Sequence, residues 1–261
     1  MDAKTMGRHI YGLGAMVLGA IGLASGDFLS GQPVPKAFPD RAALAYAVAA
    51  LILVAGLGIQ FRRSVVWAAA ALTAYYLLFV VVLMDGRVLL AHYDLYLAYE
   101  NIAEQLAIAA GGLILFATHA DLDAAPARRL TRLGQIAFGL CALIFGGAHF
   151  AYMNLTAPLI PKWLPPSQIF WGYATGVAQI AAGLAILSGV QARLAARLLT
   201  AMYAIFILLI WAPMLVADHT SISNWNEAAA TLILIGAAWV VAEAFTPAPI
   251  ASRPQAMPSA I

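Results

Sequence analysis

The chain writes one long pattern twice. Gly7, Gly12 and Gly19 return as Gly134, Gly139 and Gly146, and the same constant offset carries Tyr46 onto Tyr173 and Gly56 onto Gly183. Further along it places Thr73 on Thr200, Tyr76 on Tyr203, Phe79 on Phe206 and His92 on His219. Between these anchors the run Pro-Val-Pro-Lys-Ala-Phe-Pro at 33–39 answers Leu-Ile-Pro-Lys-Trp-Leu-Pro at 159–165, one residue out of step. Self-similarity of this length marks a duplicated unit, so the fold must be one that two copies of a single element set can build.

Composition decides the solvent. The chain is 63% hydrophobic and 10% charged, whereas soluble domains carry about 25% charge. A hydrocarbon core about 30 Å thick is crossed by roughly 20 apolar residues as helix. Eight stretches approach that length, at 8–26, 42–60, 64–84, 96–117, 133–152, 168–188, 194–216 and 225–244. Backbone amides find no water in lipid, so these stretches are expected as helices. Lys4 and Arg8 before an apolar run resemble a signal peptide. The same pattern at Gly134 in mid-chain favours a retained first helix.

The expected architecture is therefore all-α and membrane-embedded, with eight transmembrane helices as two parallel four-helix-bundle repeats. Residues 1–117 form the first repeat, 118–132 a polar cytoplasmic linker, 133–245 the second repeat and 246–261 a proline-rich disordered cytoplasmic tail. With the N-terminus inside, Arg62, Arg63, Arg128, Arg129, Arg132, Arg193 and Arg197 fall on the cytoplasmic side, leaving Lys36, Arg41, Arg87 and Lys162 outside. That is the positive-inside bias, and it puts both termini inside. An even number of spans per copy sends both copies through the bilayer with the same polarity, as in parallel repeats. The expected location is a cell membrane of the bacterial cytoplasmic type, with the bilayer itself as a partner.

A net charge of +2 with scattered basic residues gives no nucleic-acid footprint. One cysteine, Cys141, excludes an internal disulfide and a thiolate metal cluster. His92 and His219 match no metal spacing, so no metal site is expected.

In the second copy Gly146-Gly147-Ala148-His149-Phe150 is followed by Pro161-Lys162-Trp163-Leu164-Pro165 and then by Tyr173, Gly176 and Gly183. This series resembles the DoxX-like membrane family, a four-helix unit. The first copy carries it in degenerate form, with Gly22 where His149 falls and Ala37 for Trp163. The resemblance implies two fused DoxX-like units. It also implies a link to membrane redox systems, since some members are similar to thiosulfate:quinone oxidoreductase subunits. Quinone is the one cofactor it brings in, and a redox-enzyme subunit the one protein partner.

Polar groups inside spanning helices cost about 2.5–3.5 kcal/mol on insertion scales, so each needs a reason. Glu104 and Glu227 fall near the starts of their helices, where carboxylates favour the positive end of the dipole. Asn224 followed by Glu227 resembles a capping box. Glu100 and Glu104 share a face at i, i+4, so at least one is expected to be raised in pKa or paired, with Arg87 as the partner. The candidate ligand-binding set is His149, Glu227, Glu104, Tyr173, Trp163 and Asn154, near one expected depth at the outer face. In the quinone reading His149 donates to a ring carbonyl, and Glu227 or Glu104 handles protons. A non-catalytic scaffold or assembly factor is the alternative, and a small-solute transporter stands last because no polar path leads inward. No catalytic residue follows from any of these motifs.

Overall fold

The computed structural model describes residues 3–245. The tail at 246–261, expected to be disordered, lies outside the described residues. Among those residues the chain is helical throughout its long elements: α1 (Ala3–Ser25), α2 (Arg41–Ile59), α3 (Val65–Ala91), α4 (Tyr96–His119), α5 (Ala124–Ala151), α6 (Gln168–Ser188), α7 (Ala192–Ala217) and α8 (Ile222–Ala244). Seven of these, α2 to α8, are long and apolar enough to cross a membrane. The protein is thus a multi-pass membrane protein. The first helix, α1, is not one of the seven: Arg8, His9 and its recurrent glycines dilute its apolar content.

Two boundaries differ from those read in the sequence. The third helix runs on to Ala91 rather than ending at 84, which brings Asp85 inside it. The polar stretch at 118–132 is not an extended linker. Helix α5 begins at Ala124, leaving only residues 120–123 non-helical between α4 and α5. Three arginines in its first turns did not stop the helix, since arginine is a good helix former. Arg132 then reaches the end of α6, donating to the carbonyls of Ile186 and Leu187, which have no partner within their own helix.

The helices close a ring in chain order, each packing on the next and α8 returning onto α1, while α4 and α8 also meet across the middle. These two are the most deeply buried spans. Their sequences explain the placement. Helix α4 presents Ala103, Ala107, Ala109, Ala110, Gly111 and Gly112 to its neighbours, and α8 presents Ala229, Ala230, Gly236, Ala237 and Ala238. Small residues on every side let a helix be surrounded in lipid, where close packing drives association. Gly236 shows how close: a Cβ there would lie 2.2 Å from the backbone nitrogen of Tyr11 on α1.

Contacts fix the relative directions. Gly7 meets Trp239 and Gly14 meets Ile233, so α1 and α8 are antiparallel. Gly134 meets Ile114 while Tyr96 donates from its hydroxyl to the Ile144 carbonyl at 2.8 Å, so α4 and α5 are antiparallel too. Gly111 lies against Ala237 and Glu104 lies in electrostatic reach of Glu227, so α4 and α8 run together.

Helices α3 and α7 loosen into π-helical turns, over Tyr75–Asp85 in α3 and Ile207–Trp211 in α7. In α7, Pro213 has no N–H for the carbonyl four residues back, which lies inside that stretch. The first loop, between α1 and α2, is tied by an ion pair of Asp27 with Arg41. The Arg41 guanidinium also sits 5.2 Å from the Phe28 ring centroid. Residues 29–32 of this loop turn into the bundle, burying Leu29 and Gln32.

Candidate functional site

Helix α4 starts at Tyr96 with no side-chain cap, and α8 starts at Ile222, where the Ser221 hydroxyl accepts from the Asn224 amide at 3.2 Å. Capping therefore does not account for the glutamates. Glu104 sits about 12 Å along α4 and Glu227 about 8 Å along α8, at 1.5 Å per residue. Both are beyond the four orphan amides of a helix start. The cap of α8 is Ser221, so Asn224 and Glu227 form no capping box.

These acids instead converge on the line where α4 and α8 meet. Glu104 lies within electrostatic reach of Glu227, Glu100 and Asp85, the last contributed by the π stretch of α3. Asp85 is 2% exposed, and neither of its carboxyl oxygens has a hydrogen-bond partner. Gln105 donates to Glu104 Oε1 at 2.9 Å. No cation answers this charge: among the described residues the ion pairs are Asp27 with Arg41 and Glu243 with Arg193 and Arg197, and Arg87 pairs with neither Glu100 nor Glu104. The constant offset that relates His92 to His219 also relates Glu100 to Glu227. The counterparts of Glu104 and Asp85 are Thr231 and Ala212, so most of the acidity belongs to the first half.

A cavity of about 10 Å³ adjoins Glu104, lined by Ser30, Gly31 and Gln32 of the first loop, Tyr76 of α3, Gln105 of α4 and Asn226 of α8. Gln32 Nε2, Asn226 Oδ1 and the Tyr76 hydroxyl are buried there without a partner. The loop lies tight on α4, since a Cβ on Gly31 would fall 2.1 Å from Gln105 Nε2. Beyond Glu104 the central helices bury Ala107, Ile108, Ile233 and Ala237. Tyr11 closes the same level, donating to the Ile108 carbonyl at 2.8 Å. The polar cluster is covered by the first loop toward one end of the bundle and stopped by apolar packing toward the other.

The six candidates fall into separate places. Glu104 and Glu227 belong to the cluster just described. His149 does not join them; its Nδ1 is 2.9 Å from the Gly172 carbonyl on α6 and 3.2 Å from the Thr175 hydroxyl. A carbonyl only accepts, so Nδ1 carries the proton, and Nε2 of the neutral ring is left as an acceptor. The role of donor to a quinone carbonyl is thus not the one this geometry offers. Tyr173 pairs with Phe150, ring centroids 5.3 Å apart, on the surface beside His149. Asn154 is exposed in a short helical turn, Met153–Thr156. Trp163 is 70% exposed, so the second proline loop is no closed lid over the acids. That loop contains a cis bond between Pro165 and Pro166, and the Trp171 indole donates to the Pro165 carbonyl at 2.8 Å.

Asp85, Gln32, Tyr76 and Asn226 were not among the candidates. An acid in an otherwise apolar run could have flagged Asp85 had the third span been extended. Nothing in the sequence signals that Gln32 turns inward.

Residues 138–242 match the model of a family described as a domain of unknown function, DUF8561. The match lies within the second half, from mid-α5 to α8. No curated protein and no solved structure matches the chain.

Proposed function

We propose that the chain is an eight-span cell-membrane protein of two fused four-helix units running the same way, whose interior carboxyl cluster binds and releases protons at the outer side for a membrane redox partner. The observation that carries this reading is the meeting of Glu104 with Glu100, Glu227 and Asp85 with no cation paired to them among the described residues. Burying one carboxylate unpaired is already expensive. Groups kept at such cost inside a membrane protein mark proton relays and ion paths by default.

The two-unit arrangement is supported by corresponding details. A Cβ on Gly56 would meet the Gly12 carbonyl at 2.8 Å, and one on Gly183 the Gly139 carbonyl at the same distance. The π stretches of α3 and α7 correspond likewise. Apolar packing beyond Glu104 favours exchange with one side over a transport path through the bundle. The experiment is infrared spectroscopy of the protein in nanodiscs. A carbonyl-stretch band of a buried carboxylic acid is expected to grow on acidification and to shrink in Glu104→Gln and Asp85→Asn. Identical spectra in wild type and both variants would contradict the proposal.

A second reading concerns the other polar place. The DoxX-like resemblance brings in quinone, and the lipid-facing Phe150 and Tyr173 rings beside His149 would suit a ring-shaped ligand. With Nε2 as acceptor, His149 would take the hydroxyl hydrogen of a quinol. Solvent extraction of protein purified in mild detergent should then yield quinone or quinol, in reduced amount from His149→Ala. Equal yields from both proteins would remove His149 from the reading. A scaffold without a ligand predicts no extractable quinone and a partner captured by cross-linking.

A further inference from the structure

Among the described residues, a small cavity under the first loop adjoins Glu104 on the side away from the apolar packing. Its size, about 10 Å³, is that of a site for one water. Its lining is unusually specific. Gln32, 4% exposed, brings an unpartnered donor, Nε2; Asn226, 7% exposed, brings an unpartnered acceptor, Oδ1. The Tyr76 hydroxyl is buried without a partner and can donate or accept, and Glu104 supplies a carboxyl oxygen. A water molecule has two hydrogens and two lone pairs. It would accept from Gln32 Nε2 and the Tyr76 hydroxyl and donate to Asn226 Oδ1 and Glu104, which satisfies every group at once. Buried waters typically make about three such bonds.

We infer that this cavity is a binding site for a single ordered water, held by Gln32, Tyr76 and Asn226 against Glu104, and that this water is the port through which Glu104 exchanges its proton with the solution beyond the first loop. The inference rests on the carboxyl reading above and adds the route. In the transfer step a solution hydronium passes a proton to the held water as that water passes one of its own to a Glu104 oxygen; one O–H bond forms as each breaks, and the water is regenerated. The titratable groups facing Glu104 are Glu100 on its own helix, Asp85 and Tyr76 on α3 and Glu227 on α8, with Tyr11 of α1 behind Tyr76. The carboxylates among them exchange protons with Glu104 inside the cluster, and the held water is the proposed entry from outside. The loop forms the cover: Gly31 rests on Gln105, and the ion pair of Asp27 with Arg41 holds the loop's two ends.

The test is hydrogen–deuterium exchange of the Glu104 carboxylic-acid band, followed by infrared spectroscopy after nanodiscs are transferred from light to heavy water. The band is assigned by its loss in Glu104→Gln. Gln32→Leu and Asn226→Leu keep side-chain size while removing the water's ligands. They are expected to slow exchange on the order of 100-fold, the scale on which a positioned proton carrier acts, while Asp121→Ala in the exposed α4–α5 loop leaves it unchanged. Exchange as fast in Gln32→Leu and Asn226→Leu as in wild type overturns the water port while leaving the carboxyl cluster standing. A wild-type spectrum with no Glu104 band overturns the cluster as a proton site, and the port with it. Should the leucine variants fail to fold, a high-resolution density map of the wild type decides. Density for one water within hydrogen-bond distance of Gln32 Nε2 and Asn226 Oδ1 supports the port, and a dry cavity overturns it.

Discussion

Asp85 and His149 show opposite ways for a polar side chain to live in a helix bundle. His149 is satisfied across the α5–α6 seam by the Gly172 carbonyl, so its removal costs a tie between helices. Asp85 has no partner for either oxygen, so its removal should relieve a cost. We expect Asp85→Leu to raise the thermal midpoint of the detergent-solubilised protein, by a free energy of about 1–3 kcal/mol, the usual cost of a buried unsatisfied group. A lowered midpoint would mean that Asp85 is held by interactions other than those described. Function and stability are expected to oppose each other here, since the same variant weakens the proposed proton site. His149→Ala should lower the midpoint by about 1 kcal/mol through the lost hydrogen bond.

Helix α4 is where sequence and structure agree and part. Its apolar length marks it as a span, while its place in the middle of the ring emerges only from the packing. Of the acids on it, Glu104 was among the candidates because charge in an apolar helix stands out, while Glu100 was noted only as its partner on one face. Their role was misread because helix starts are weakly encoded: with α4 beginning at Tyr96 and α8 capped by Ser221, neither glutamate reaches a free amide. Asp85 escaped because the third span was ended at 84, one residue short of the acid that the π stretch turns inward. Gln32 could not be read at all, because a polar loop residue carries no periodicity to report that its loop folds back into the bundle. Gly56 and Gly183 were legible only as matching anchors of the repeated pattern, and the seams they form make a prediction at this scale. Gly56→Val and Gly183→Val put the same bulk into corresponding seams, and each should destabilise by about 1–3 kcal/mol through overpacking. Thermal midpoints of the two variants should fall by similar amounts. A large loss from one and none from the other would show that the halves do not pack alike.

The molecule as a whole is a ring of helices with its two central members running the same way, and only that arrangement sets Glu100 of one half against Glu227 of the other. The two halves differ in sequence: the first has Gly22 where the second has His149 and carries Asp85 and Glu104, while the second has Ala212 and Thr231 in those places. The acids therefore lie on the outer side only if both halves cross the bilayer in one direction. Single cysteines in a Cys141→Ser background test this in intact cells with a membrane-impermeant thiol reagent. Lys36→Cys in the first proline loop and Lys162→Cys in the second should both be labelled, and Arg63→Cys and Arg129→Cys should react only after the membrane is opened. Labelling of Lys36→Cys without Lys162→Cys, or the reverse, would place the loops on opposite sides and contradict the account.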